Sequence, residues 1–262
     1  MSLERISRMD GSANEDPLKE IAALQYLSAN GPHPNIIQVA EVLRDSEYMY
    51  VIMPFCTGGE LFNVVSERRG LSEDNARHIF RDLLSGMAFL HNLNICHRDM
   101  SLENILLDGE GRVKIIDFGM ALMVDQPQPH LMMETLAMTG GGSANSRRSI
   151  SPTGPCGKKH YMAPEVAMND RAFDGLAVDV WALGVILFIT LAGIPPFHAP
   201  NPLEDQRCHM IAVQRRLQLL VREWNSPISE QAIDLIQSCL LFNPADRASV
   251  HELRRHPWLA HR

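Results

Sequence analysis

The stretch His97–Gly119, reading HRDMSLENILLDGEGRVKIIDFG, constrains this chain more than any other. Two short apolar runs, ILL at Ile105–Leu107 and VKII at Val113–Ile116, flank the turn formers Asp108-Gly-Glu-Gly-Arg112. Apolar β-prone runs separated by an Asp-Gly turn predict a β-hairpin, which returns the end of its second strand to the start of its first. Asn104 is thereby expected on the same side as Asp117, with Asp99 on the loop just upstream. Any one of these residues is an ordinary turn former. Together they place three oxygen-bearing side chains at strand ends, where such donors can converge on a hard cation.

With 262 residues and 45% hydrophobic composition, the chain can bury a large core in one domain or two lobes. A formal charge of -7, no long basic run and 6% aromatic residues give no electrostatic footprint for nucleic acid. The five cysteines are scattered without CxxC spacing, so neither a disulfide framework nor a zinc site is indicated, and a reducing, cytoplasmic setting is expected. MSLERISRMDG lacks the apolar segment of a signal peptide. The longest apolar run, Val180–Pro196, is interrupted by Gly184, Gly193 and a proline pair, and reads as a buried helix rather than a membrane span.

In order and spacing, HRD at 97–99, Asn104 and DFG at 117–119 resemble the catalytic loop and metal-binding motif of eukaryotic serine/threonine protein kinases, of the calcium/calmodulin-dependent-kinase-like or AGC-like type. The resemblance implies an α+β bilobal fold, ATP and Mg2+ as cofactors, and protein substrates with Ser/Thr acceptors. By motif position, Asp99 becomes the residue that orients the substrate hydroxyl and accepts its proton, while Asn104 and Asp117 hold magnesium.

Residues 1–16 are polar and unpatterned, and read as a disordered lead-in. Residues 17–55 are assigned to a partial small lobe and 56–262 to a large, mainly helical lobe. Leu18, Ile21, Ala22, Leu24 and Tyr26–Leu27 recur at helical spacing behind Pro17, and Asn30-Gly31-Pro32 ends the helix. Glu20 on it matches the regulatory glutamate that pairs with a strand lysine in the family. The VAIK-like strand and the GxGxxG loop that should precede it are absent from residues 1–19. The expected small-lobe sheet reduces to strands at Ile36–Val42 and Met49–Met53, a two-stranded ribbon with an open edge. Such a chain is expected to be an N-terminally truncated kinase domain, with an inactive scaffold as the alternative.

The segment His33–Phe62 reads as strand, turn, strand, extended linker and helix start, and resembles the family's hinge, where backbone groups of the linker bind adenine. Met53 falls at the gatekeeper position, Pro54 and Cys56 supply the adenine-facing groups, and Leu106 on the strand after Asn104 joins the nucleotide-binding set. Glu60 and Glu103 match positions that contact ribose or substrate arginine, which suggests a preference for basic sequences. Ser72 caps a helix whose apolar positions run from Ala76 to Leu90.

One departure from the family pattern is informative. Two places after Asp99, where a lysine is usual, stands Ser101. In GKKHYMAPE, which resembles the substrate-docking loop, Lys158 stands where a threonine is usual. The expectation is an exchange, with Lys158 supplying the charge and Ser101 the hydroxyl beside Asp99. The activation segment is long, with a flexible insert expected at about 125–156, and Ser149, Ser151 and Thr153 are candidate phosphate acceptors for Arg98. Asp179 is expected to hold the catalytic loop from below, and Glu165 to pair with Arg247.

Overall fold

The computed structural model describes residues 17–124, 149–151, 154 and 156–260. The lead-in 1–16, most of the insert and Thr153 lie outside the described residues. Helix α1 (Pro17–Ala29) buries Ile21, Leu24 and Leu27 at three-residue spacing and leaves Leu18 and Tyr26 exposed, a narrower apolar face than the sequence pattern suggests. Strands β1 (Glu41–Arg44) and β2 (Met49–Ile52) form the expected antiparallel two-stranded ribbon, Glu41 opposite Ile52 and Arg44 opposite Met49. The Asp45 carboxylate closes its turn by accepting from the N–H groups of Glu47 and Tyr48.

The first strand was expected to begin at Ile36, and it does not. Ile36 and Ile37 are buried against the large-lobe hairpin, where Ile37 N–H donates to the Ile115 carbonyl at 3.0 Å and Ile115 N–H donates to Asn35 at 2.9 Å. Burying two isoleucines in an existing core outweighs pairing them on an exposed ribbon, at roughly 1.5–3 kcal/mol per side chain.

After β3 (Gly59–Glu60) and α2 (Leu61–Arg68), helix α3 (Glu73–Asn92) starts behind Ser72, whose hydroxyl accepts from Asn75 N–H. The whole expected stripe, Ala76, Ile79, Phe80, Leu83, Leu84, Met87 and Leu90, is buried. The chain then passes through β4 (Ile95–Cys96) and a 3-10 turn at Leu102–Asn104 into the hairpin β5 (Ile105–Leu107) and β6 (Val113–Ile115). Its register is Ile105 opposite Ile115 and Leu107 opposite Val113. Strand β7 (Leu122–Met123) pairs with β4, and β8 (Ser149–Ile150) pairs with β9 (Phe173–Asp174). The end of the expected flexible insert is therefore sheet, with Ile150 5% exposed.

The large lobe is built round the helix Gly175–Ala192. Asp174 caps it by accepting from Leu176 and Ala177 N–H, so it begins five residues before the apolar run Val180–Pro196. It is long and apolar enough to cross a membrane, yet 89% of it is buried inside the protein. It ends at Gly193, whose φ is +72° and where any Cβ would lie 2.5 Å from the Arg69 backbone. The five cysteines are buried free thiols.

Arg247 fastens the base of this lobe. Its guanidinium grips Glu165 with two bonds of 2.6 and 2.7 Å, donates to the carbonyls of Leu241 and Ala177, and lies 5.0 Å from the Trp181 ring centroid. Both partners are buried, so removing one strands a charge in low dielectric. Arg247→Ala is expected to lower unfolding free energy by about 3–5 kcal/mol, read from urea denaturation.

Candidate active site

The loop His97–Asn104 is hung from the central helix. Asp179, 1% exposed, accepts from the backbone N–H of His97 at 2.8 Å and of Arg98 at 2.9 Å, and its Oδ2 lies 3.0 Å from His91 Nε2. Arg98 has φ +68°, a left-handed conformation that costs a non-glycine residue on the order of 1–2 kcal/mol. Bonds to a charged acceptor are worth roughly 1.5–3 kcal/mol each, enough to hold the turn. His97 in turn packs 5.1 Å from the Phe118 ring centroid, with its Nε2 3.0 Å from the Ile116 carbonyl, so HRD and DFG are tied together.

Asp99 is half-buried between two clamps. Asn104 Nδ2 donates to its carbonyl at 2.7 Å and to its Oδ2 at 3.0 Å, and Lys158 N–H donates to its Oδ1 at 3.1 Å. Burial lifts the Asp99 carboxyl above the ordinary aspartate value, against the opposing pull of Lys158, His97 and Asn104. Gly157 is required beside it: its φ is +84°, and a Cβ there would lie 2.9 Å from the Arg98 carbonyl.

Ile116 N–H donates to the Asn104 carbonyl at 3.1 Å, so the hairpin does bring Asp117 back to the end where Asn104 stands. Asp117, with φ +63°, accepts Gly119 N–H on Oδ1 at 3.2 Å. Asn104 has committed its amide nitrogen to Asp99, which leaves its Oδ1 as an acceptor, and Asp117 keeps a second carboxylate oxygen. Two hard oxygen donors at one end of a hairpin fit a magnesium ion.

Lys158 reaches Ser101: Nζ donates to Ser101 Oγ at 2.9 Å, and Ser101 is fully buried. The same Nζ lies 3.7 Å from Glu103 Oε2. Tyr161, buried, has its hydroxyl within hydrogen-bonding reach of Glu103 and of the Leu102 backbone; burial, then the Glu103 charge, push its pKa up. Sequence reasoning did not single out Tyr161, although it stands in the same GKKHYMAPE run. It also missed His91 on Asp179 and Cys156, whose Sγ accepts from the Arg98 guanidinium at 3.0 Å.

On the nucleotide side, Met53 and Pro54 are exposed and Cys56 is buried, its carbonyl accepting Gly59 N–H at 3.2 Å. Glu60 lies opposite half-buried Leu106 where β3 pairs with β5, next to the start of α2. Glu20 is half-buried on α1. Of the expected phosphate acceptors, Ser149 lies in β8 and Ser151 is exposed.

A lobe built on a buried central helix, a loop held beneath it and oxygen donors at a hairpin end is the architecture of protein kinases. A family model of the protein kinase domain matches residues 4–259, and the chain belongs to that family. Among its curated relatives is the serine/threonine-protein kinase SAPK9 of Oryza sativa subsp. japonica, 34% identical over 86% of this chain and 56% of that protein. CBL-interacting protein kinase 16 of the same plant is 33% identical over 97% and 48% respectively. The abscisic acid-inducible protein kinase of Triticum aestivum is 33% identical over 88% and 62%. The chain spans about half the length of the curated relatives it matches.

Because Asp179 accepts from both the His97 and Arg98 N–H groups, Asp179→Ala removes the acceptor from a buried donor and a part-buried one. It is expected to destabilise the fold by about 2–5 kcal/mol in chemical denaturation, with Asp179→Asn losing less.

Proposed function

We propose that this chain is the catalytic part of an ATP-dependent protein kinase that phosphorylates serine or threonine in protein substrates. The observation that carries the reading is Asp99, held by Asn104 on one side and by the docking-loop N–H of Lys158 on the other. Asp99 orients the acceptor hydroxyl and takes its proton as the oxygen attacks. Burial, by raising its carboxyl, makes Asp99 a stronger base than a solvated aspartate. Lys158, fixed by Ser101, places a positive charge beside the reacting oxygens in the role that the lysine missing at 101 usually fills.

Asn104 and Asp117 would hold Mg2+, and the backbone of Pro54 and Cys56, with Leu106, would receive the adenine of ATP. When bound, the metal neutralises charge on the phosphates and holds them in line. The names of the relatives support a serine/threonine acceptor.

The reading predicts that Asp99→Asn abolishes phosphate transfer to protein while leaving the thermal melt nearly in place. Lys158→Ala should cut turnover on the order of 100-fold, and near-normal turnover in that variant would refute the exchange with Ser101. As the half-buried Asp99 must be ionised to act, turnover falls on acidification with a midpoint above the 3.8 of an ordinary aspartate, measured as a pH–rate profile.

A further inference from the structure

Glu103 is the carboxylate that sequence reasoning assigned to a substrate arginine, and in the structure it is already occupied. Its Oε2 is enclosed, with no hydrogen bond of its own among the described residues, and Lys158 Nζ stands 3.7 Å away. The buried Tyr161 also has its hydroxyl within hydrogen-bonding reach of Glu103. Although its side chain is 40% exposed, Lys158 is tethered at two points. Its ammonium is anchored to the fully buried Ser101 hydroxyl and its backbone N–H to Asp99. Displacing it from Glu103 would leave two cations, Lys158 and the substrate arginine, competing for one carboxylate. Like charges so juxtaposed disfavour the wrong partner.

The docking loop continues with Lys159 and His160, both exposed, and no ion pair of either is present among the described residues. Residues 158–160 thus present consecutive basic side chains directly after the glycine that packs against Asp99. On the acidic side, Asp99 is engaged by Asn104 and the Lys158 N–H, Glu103 by Lys158 and Tyr161, and Arg98 adds a further cation that donates to Cys156. Glu60 stands on β3, which pairs with β5 beside Leu106 and also touches the 3-10 turn that carries Glu103.

We propose that the substrate groove selects acidic rather than basic side chains around the acceptor hydroxyl, with the Lys158–Glu103 pair closing the arginine subsite and Lys159 receiving a substrate carboxylate. This rests on the kinase reading for the identity of the groove, but not on the chain's turnover.

The test is equilibrium binding, without nucleotide, of labelled peptides carrying one serine flanked by aspartates or by arginines, followed by fluorescence anisotropy at low salt. The native chain should bind the aspartate peptide about tenfold more tightly than the arginine peptide, and the advantage should shrink as salt screens it. Lys159→Glu, an exposed change, should erase that preference. Lys158→Thr should raise arginine-peptide affinity about tenfold by freeing Glu103, and adding Glu103→Gln should take the gain away. A tighter arginine peptide, equal binding, no binding of either, or a Lys158→Thr variant without the gain overturns the proposal.

Phosphate incorporation from ATP and Mg2+ into the same peptides separates the two readings. Transfer to the arginine peptide in preference sinks the acidic selectivity and leaves the kinase. Tight aspartate-peptide binding with no transfer to either peptide sinks the kinase activity and leaves the selectivity standing.

Discussion

A single buried carboxylate, that of Asp179, is the interaction on which the placement of the catalytic loop depends. An isolated charge in the interior is costly, and here the cost is met by backbone N–H donors from His97 and Arg98 and by the His91 ring. Those bonds hold Arg98 in a left-handed turn that the chain would not otherwise keep. Position then propagates without further strain: Asp99 follows Arg98, and the 3-10 turn at Leu102–Asn104 brings the Asn104 amide back onto Asp99. Asp179 can act this way because the helix that carries it is packed on nearly every side, so the anion sits on a rigid element.

The second half of the site arrives from a distant part of the chain. Gly157 and Lys158 approach Asp99 from the docking loop, and that loop is secured below by the Glu165–Arg247 pair and the contacts of Tyr161. The site therefore has two anchors, both ending on the central helix: Asp179 directly, and Arg247 through the Ala177 carbonyl and the Trp181 ring. Lys158 and Ser101 hold a cation and a hydroxyl in contact at 2.9 Å, with the charge carried by the docking loop. The same ammonium stands 3.7 Å from Glu103. A substitution that preserves one interaction alters another, since the lysine cannot serve Ser101 without also facing the neighbouring carboxylate.

The small lobe follows a different logic. No residue of its two-stranded ribbon is buried, whereas the segment before it, Asn35–Ile37, leaves the ribbon and binds the hairpin of the large lobe. Burial of Ile36 and Ile37 beside Ile115 decided that partition, and Asn35 strengthens it by donating its side-chain amide to the Val113 carbonyl.

Periodicity and turn chemistry in the sequence were sufficient for α1, for the long helix behind Ser72 and for the hairpin that returns Asp117 towards Asn104, while the meeting of Lys158 with Ser101 was expected only from the resemblance to the kinase family. Each depends on local patterns or on motif order, which a linear reading can see. Other features depended on which surfaces met in three dimensions. The strand boundary after Ile37, the pairing of Ser149–Ile150 with Phe173–Asp174, and the engagement of Glu103 by Lys158 and Tyr161 have no local signature. A carboxylate reads the same in sequence whether it faces solvent or a lysine more than fifty residues away; burial and proximity are properties of the packed chain, and only the tertiary structure assigned them.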